Sequence, residues 1–305
     1  MGYLQVRSRR VPWSHPSRRL LGRYDKEDLL RYYLAVAPWF LPHLQDRPLV
    51  LTRYPRGIEE EGFYQKNVDM APPWLATWKD PAHPEAPRYL LCQEEAALAW
   101  MAQMAVLEVH PWYSRRFSPD EPDWAVVDLD PMAPATFEDA REVAKVLRDY
   151  FQTTGIAAFI KTSGATGLHI YLPLGRGWTY GESRELAHLL GEALAALWPE
   201  KVTLERRVER RGGRVYWDYL QNGRGKTLAA PYSPRPAPHG PVSTPFLWEE
   251  LEQVDAARWT LETVPGYLSQ RGDPWREITG MAQDLRPFLL ELKRKAGRPR
   301  QGRRV

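Results

Sequence analysis

The sequence contains a single cysteine, Cys92, in 305 residues. That excludes an internal disulfide framework and any zinc site built on several thiolates, and it suits a reducing compartment. No apolar run approaches the roughly 18 residues that a membrane-spanning helix needs. The start of the chain scatters Arg and Pro where a signal peptide would place an apolar core. A cytoplasmic protein without a membrane partner is the expectation. No internal repeat appears, and no low-complexity tract apart from the basic end. With 43% hydrophobic and 26% charged residues, the chain is neither disordered nor fibrous in composition.

Net charge is also scarce, at +4. It is unevenly spread. Residues 293–305 hold seven basic side chains and no acid; residues 1–31 hold eight basic against three acidic, so the body between them carries −8. A basic isoelectric point suggests a polyanion partner. Here the suggestion comes from the two ends, and charge alone reads them as solvated.

What the sequence does have is an alternation of strand and helix patterns. Asp25 opens a helix whose apolar stripe includes Leu29, Leu30, Tyr33, Leu34, Ala37, Phe40 and Leu41. Strands are predicted over 48–52, 124–129, 156–161, 168–174 and 214–220. Further helices are predicted over 94–109, from Thr136 to Gly155, and over 183–197, with a last pair after a Pro-rich connection at 231–245. This predicts an α/β or α+β fold rather than an all-α one. No linker cuts the middle, so two lobes of one catalytic unit are expected, about 1–110 and 111–292. A flexible basic tail over 293–305 should follow.

Chemistry concentrates in three places. Trp124-Ala-Val-Val-Asp128-Leu-Asp130-Pro131 places Asp128 and Asp130 on one strand face, with Pro131 stopping the ladder. Two carboxylates at a strand end repel unless a cation sits between them, and hard oxygen ligands suit Mg²⁺ or Mn²⁺. An isolated Asp-x-Asp is also compatible with a solvated turn. Asp218, inside a second predicted strand, is a third carboxylate that would complete a two-metal site for in-line phosphoryl transfer. Its alternative partner is one of Arg206, Arg207, Arg210 or Arg211. Thr162-Ser163-Gly164-Ala-Thr166-Gly167-Leu-His169 is a Gly-rich turn with hydroxyl and N–H donors that suit phosphate. Arg224, Lys226 and Arg235 flank Asp218 and suit a triphosphate. Gly225-Lys226-Thr227 is no P-loop, because Leu220 stands where the first glycine is needed. His110-Pro-Trp112 reads as the close of a helix.

Taken in order, these segments resemble the polymerase domain of bacterial non-homologous end-joining ligase D, in the archaeo-eukaryotic primase superfamily. The resemblance runs from about Asp25 to Leu292. It rests on Arg53-Tyr-Pro-Arg-Gly57, Gly62-Phe63-Tyr64-Gln-Lys66-Asn67, Ala71-Pro-Pro-Trp74, Glu108-Val-His110-Pro-Trp112, Asp128-Leu-Asp130-Pro131 and the Ser163 to His169 loop. Asp218-Tyr-Leu-Gln221-Asn222-Gly-Arg224-Gly-Lys226-Thr227 and Ala230-Pro-Tyr-Ser233-Pro-Arg235 complete it. It implies an α+β, archaeo-eukaryotic primase-like fold of two mixed or antiparallel sheets flanked by helices, and a DNA-repair primase-polymerase that adds nucleotides, with ribonucleotides preferred, to 3′-hydroxyl ends at gaps and double-strand breaks.

By position, the resemblance implies that Asp128, Asp130 and Asp218 hold two divalent cations, Mn²⁺ or Mg²⁺. His110, Ser163, His169, Arg211, Gln221 and Arg235 would bind the incoming NTP or dNTP, with Thr166, Arg224 and Lys226 beside them. Lys26 would hold a downstream 5′-phosphate. Phe63 and Tyr64 would stack near the templating end, with Arg53 also on the DNA side. There are two departures. Thr166 stands where family members often carry Lys. The segment 17–22 is short, which leaves the second phosphate-binding cation open between Arg18 and Arg19. No Lys-x-Asp-Gly adenylation motif and no His-rich phosphoesterase segment is present. The expectation is therefore a stand-alone, nucleoid-associated polymerase served by a separate ATP-dependent ligase and a Ku-type end-binding protein. Alternatives within the resemblance are a primase-polymerase for priming or lesion bypass and a non-catalytic DNA-end binding module that keeps the fold; outside it stands another Asp-x-Asp metal enzyme such as a glycosyltransferase.

Overall fold

Asp25 starts the first long helix, as the sequence predicts. Its side chain accepts the Asp28 N–H while the Asp28 carboxylate takes the Asp25 N–H, a reciprocal cap that satisfies two donors at the helix start. The helix runs Lys26–Leu44 and buries Leu29, Tyr33, Val36, Ala37, Phe40 and Leu44. The computed structural model describes residues 2–297. They form two units that are interleaved in sequence. The first holds the chain as far as Pro119, then Phe159–Ala165 and Gly225–Gly280; the second holds Asp120–Ala158, Thr166–Arg224 and the chain from Met281 on. The division is thus not at one point near residue 110, because the chain returns to the first unit twice.

In the first unit the Lys26–Leu44 helix packs on Glu95–Gln103, a helix buried from Ala96 to Ala102. The strand Leu49–Arg53 pairs antiparallel with Phe63–Gln65 and with Val106–Pro111. The helix expected to run to 109 therefore ends at Gln103. Ala105 takes a left-handed backbone, φ +53°, and the chain turns into a strand buried at all six positions. The Ala/Met/Leu-rich helix runs into this strand without a break in composition, and the alternation Leu107-Glu108-Val109-His110 is too short to mark the change. His110 consequently lies in a sheet, not at a helix end. A hairpin, Gly2–Val6 with Arg9–Trp13, which the sequence analysis did not anticipate, precedes the helix. Phe159–Thr162 pairs antiparallel with Pro245–Phe246.

The second unit is organised about the strand Trp124–Pro131. It pairs antiparallel with Leu168–Pro173 and with Val215–Trp217, and the latter pairs parallel with Val202–Thr203. Helices Phe137–Thr154 and Tyr180–Leu197 contact the central strand. The architecture is mixed α+β, as predicted. Pro131 does not stop the ladder beforehand; it is opposite Val215 at the ladder's last rung, where a missing N–H costs nothing. The predicted 214–220 strand is shorter. It ends at Trp217, and Asp218 caps the 3₁₀ turn Tyr219–Gln221. The first residues of the tail predicted from 293 are helical instead. The helix Arg286–Ala296 includes Lys293, which reaches Glu185 at 2.8 Å; the rest of the predicted tail lies outside the described residues.

Trp217 is fully buried against Gly191 of the Tyr180–Leu197 helix, where an added Cβ would sit 2.6 Å from the indole. Alanine favours helix by about 1 kcal/mol over glycine, but overpacking costs about 1–3 kcal/mol. Gly191→Ala is therefore expected to lower the melting temperature. A thermal unfolding scan showing a rise would overturn this packing assignment.

Candidate active site

In an antiparallel ladder, directly opposed residues share a face. Asp128 is opposite His169, and Asp130 is opposite Tyr216. The Asp218 N–H donates to the Asp128 carbonyl at 3.0 Å, so Asp218 follows Tyr216 into the position facing Asp128. The second unit thus gathers Asp128, Asp130, Asp218 and His169 on one face. The opposite face, with Ala125, Val127, Leu129 and Trp217, is fully buried.

Each carboxylate is held by protein donors. His169 Nε2 lies 3.5 Å from Asp128 Oδ1. Gln221 Nε2 donates to Asp218 Oδ2 at 2.9 Å, and the Tyr216 hydroxyl and Leu220 N–H donate to Oδ1 at 3.2 and 3.1 Å. Burial and the Asp218 charge push the Tyr216 phenol up, so it stays a donor. Arg211 lies over the Tyr216 ring and reaches Asp130 Oδ2 at 3.3 Å. The arginine alternative raised for Asp218 is thus taken up by Asp130. Burial raises the Asp130 carboxyl above its ordinary value; Arg211 opposes this, and the Asp218 charge adds to it. Among the described residues no three His, Cys, Asp or Glu side chains form a ready ligand cluster as they stand. The donor chemistry nonetheless fits hard divalent cations, since three carboxylates gathered on one face repel one another and offer oxygen ligands.

The first unit gathers a different set. His110 Nε2 lies 3.3 Å from Thr52 Oγ1 and 3.9 Å from Glu108 Oε2, and Arg235 Nε is 3.1 Å from Glu108 Oε1. Ser163 accepts the Ala165 N–H at 3.1 Å. Gly164, at φ +74°, packs so close that a Cβ would meet Arg235 Cγ at 2.6 Å. Buried Lys161 donates to the Ser243 hydroxyl and so ties the Ser163 strand to its neighbour. Tyr64 is 71% exposed with its ring 6.2 Å from His110; Phe63, also exposed, lies under the Arg53 guanidinium at 5.2 Å. Arg53 is pinned by the Met104 carbonyl and Gln65.

Lys26 is buried, with its ammonium on the Ser14 carbonyl at 2.6 Å and Gln103 Oε1 at 2.7 Å, 4.9 Å from the Trp13 ring. Burial and then the Arg18 charge lower its pKa to about 8. Arg18, which donates to the Pro55 carbonyl at 2.9 Å, is therefore the cation felt by Lys26, while Arg19 donates to the Arg23 carbonyl. Not every predicted site residue joins these groups. Arg224 pairs with Asp120, and Thr166 and Lys226 are exposed.

A model of the LigD primase-polymerase domain matches residues 25–275. The chain belongs to that family. It is 33% identical over 280 residues to the bifunctional non-homologous end joining protein LigD of Bacillus subtilis, covering 90% of this chain and 45% of that protein. It is 32% identical over 291 residues to the multifunctional LigD protein of Pseudomonas aeruginosa, covering 93% and 34%. The chain thus spans less than half the length of these relatives. Its structure matches the polymerase domain of Mycobacterium tuberculosis ligase D, solved in complex with DNA, with a TM-score of 0.80 and 31% identity over 90% of this chain and 99% of that one.

Asn222, quoted in the sequence only as part of a motif, proves to be a keystone of the LigD-type carboxylate face. It is fully buried. Its Oδ1 accepts the Val126 N–H at 2.7 Å and the Ser183 hydroxyl at 3.0 Å, and its Nδ2 donates to the Val126 and Tyr219 carbonyls. It clamps the Asp218 turn to the central strand. Asn222→Ala orphans two buried backbone groups at about 1–3 kcal/mol each. A loss of at least about 2 kcal/mol in urea unfolding is expected; unchanged stability would refute the clamp.

Proposed function

We propose that this chain is a metal-dependent nucleotidyltransferase that extends 3′-hydroxyl ends at gaps and double-strand breaks in non-homologous end joining. The observation that carries this reading is the single face bearing Asp128, Asp130 and Asp218, in a chain that matches nearly the whole of a polymerase domain solved with DNA. Divalent cations, Mn²⁺ or Mg²⁺, lower the pKa of the attacking hydroxyl and neutralise the leaving pyrophosphate when bound. The three Asp side chains supply oxygen ligands. Gln221 and Tyr216 orient Asp218, and His169 orients Asp128. Arg211 shields Asp130 from its like-charged neighbours. Arg235, His110 and Ser163 present donors for the phosphates of an incoming ribonucleotide or deoxynucleotide, while Phe63 and Tyr64 offer exposed faces for unpaired bases. Residues 1–292 act as the catalytic domain. A Ku-type end binder, a separate ATP-dependent ligase and a nucleoid-associated place in the cytoplasm follow from the same reading.

Extension of a gapped duplex, with ribo- and deoxynucleotides and with Mn²⁺ and Mg²⁺, tests it. Asp128→Ala is expected to abolish nucleotide addition while DNA binding survives. Addition by that variant at the wild-type rate would sink the proposal. Synthesis of dinucleotides on unprimed single strands would point to priming instead.

Lys26 and Arg18 are read as the grip on a downstream 5′-phosphate. An ammonium is protonated below its pKa, so capture of the phosphate by the free protein should fade as pH rises through about 8. The preference for 5′-phosphorylated over 5′-hydroxyl gaps is expected to fall across pH 7–9 in the wild type and to be absent in Lys26→Ala. A preference that holds steady over this range would show that Lys26 is not the grip.

A further inference from the structure

Glu108 is a buried carboxylate, 5% exposed, to which the proposed reaction gives no role. It stands opposite Thr52 in register, and His110 stands opposite Val50, so the three polar side chains share one face of the sheet. Its Oε1 meets Arg235 Nε at 3.1 Å and its Oε2 lies 3.9 Å from His110 Nε2. Arg235 arrives from a separate segment that is laced to the same strand. The Ala230 N–H donates to the Val109 carbonyl at 2.8 Å, and the Val109 N–H donates to Ser233 Oγ at 2.9 Å. Burial alone would drive the Glu108 carboxyl up. The nearby His110 and the Arg235 charge outweigh it, and the net result lies below the ordinary range.

A buried ion pair is seldom the cheapest way to stabilise a sheet face, since well-packed apolar residues do as well or better. A guanidinium, however, has five N–H donors in a rigid fork. A buried carboxylate 3.1 Å from Nε pairs with the guanidinium by charge, without a hydrogen bond at that nitrogen, and so fixes where the fork sits while leaving its terminal amino groups for a ligand. We propose that Glu108 is a positioning residue that fixes Arg235 and His110 side by side as a paired donor set for the phosphates of the incoming nucleotide. The inference rests on the nucleotidyltransferase reading of this chain.

The test is a double-mutant cycle with Glu108→Gln and Arg235→Ala in the full chain. Two readouts are needed: the dissociation constant of a ribonucleoside triphosphate with Mn²⁺ by calorimetry, and KM and kcat on a gapped duplex. Glu108→Gln is expected to raise nucleotide Kd and KM about tenfold, in the range of contact-pair coupling, with the Kd for gapped duplex unchanged. In the Arg235→Ala background the same substitution should add almost nothing. Glu108→Asp, which keeps the charge but shortens the reach, should fall between wild type and Glu108→Gln, and it serves if the Gln variant does not fold. Penalties that multiply in the double variant, or a loss of thermal stability with nucleotide Kd unchanged, would overturn the proposal. Because triphosphate affinity is read directly, absence of polymerisation by the wild-type chain would defeat the functional reading and still leave Glu108 tested.

Discussion

The antiparallel register at Asp128 is the constraint on which the carboxylate face depends. One rung, with Asp128 facing His169 on one side and its carbonyl accepting the Asp218 N–H on the other, brings residues 90 positions apart in the chain onto one face. A one-residue slip of either neighbour would send its side chains to the apolar side. The register is held because that other side is buried: Val127, Leu129, Ile170 and Trp217 cannot exchange places with carboxylates. Gly191 and Asn222 serve the same rung, the first by admitting the Trp217 indole and the second by clamping the turn after it.

The electrostatics follow from this packing. Gathering three carboxylates in a partly buried place raises the affinity of at least one for a proton, and Asp130 shows it. The protein offsets the cost with Arg211, Gln221, Tyr216 and His169, donors whose strength is modest enough to be exchanged for a cation. The first unit meets the opposite problem. There Arg235 and His110 are cationic or donor groups, and a buried carboxylate, Glu108, organises them. Each unit thus holds its charged side chains with partners of the other sign.

Much of this was legible in the linear sequence where local rules act alone. The helix cap at Asp25, the Thr136 start and the Asp128/Asp130 face each depend on residues within a few positions of one another. The strand Val106–Pro111 was not legible. The helix before it runs into it without a break in composition, and only pairing with Leu49–Arg53 distinguishes the two. That misreading hid the significance of Glu108, since in a strand it shares a face with His110. The sequence left Arg18 and Arg19 equivalent, whereas in the fold it is the Arg18 charge that bears on the buried Lys26 ammonium.

The sequence by itself determined the family resemblance, with the α+β class that it implies, and the identity of the three carboxylates and of most polar residues grouped with them. These are properties of residue type and order. Tertiary structure alone decided the long-range partners: Arg211 on Asp130, and Arg235 on Glu108. Such pairings join segments up to 127 residues apart, as between Glu108 and Arg235. No periodicity records them, because they depend on which strands lie side by side and on how deeply each charge is buried.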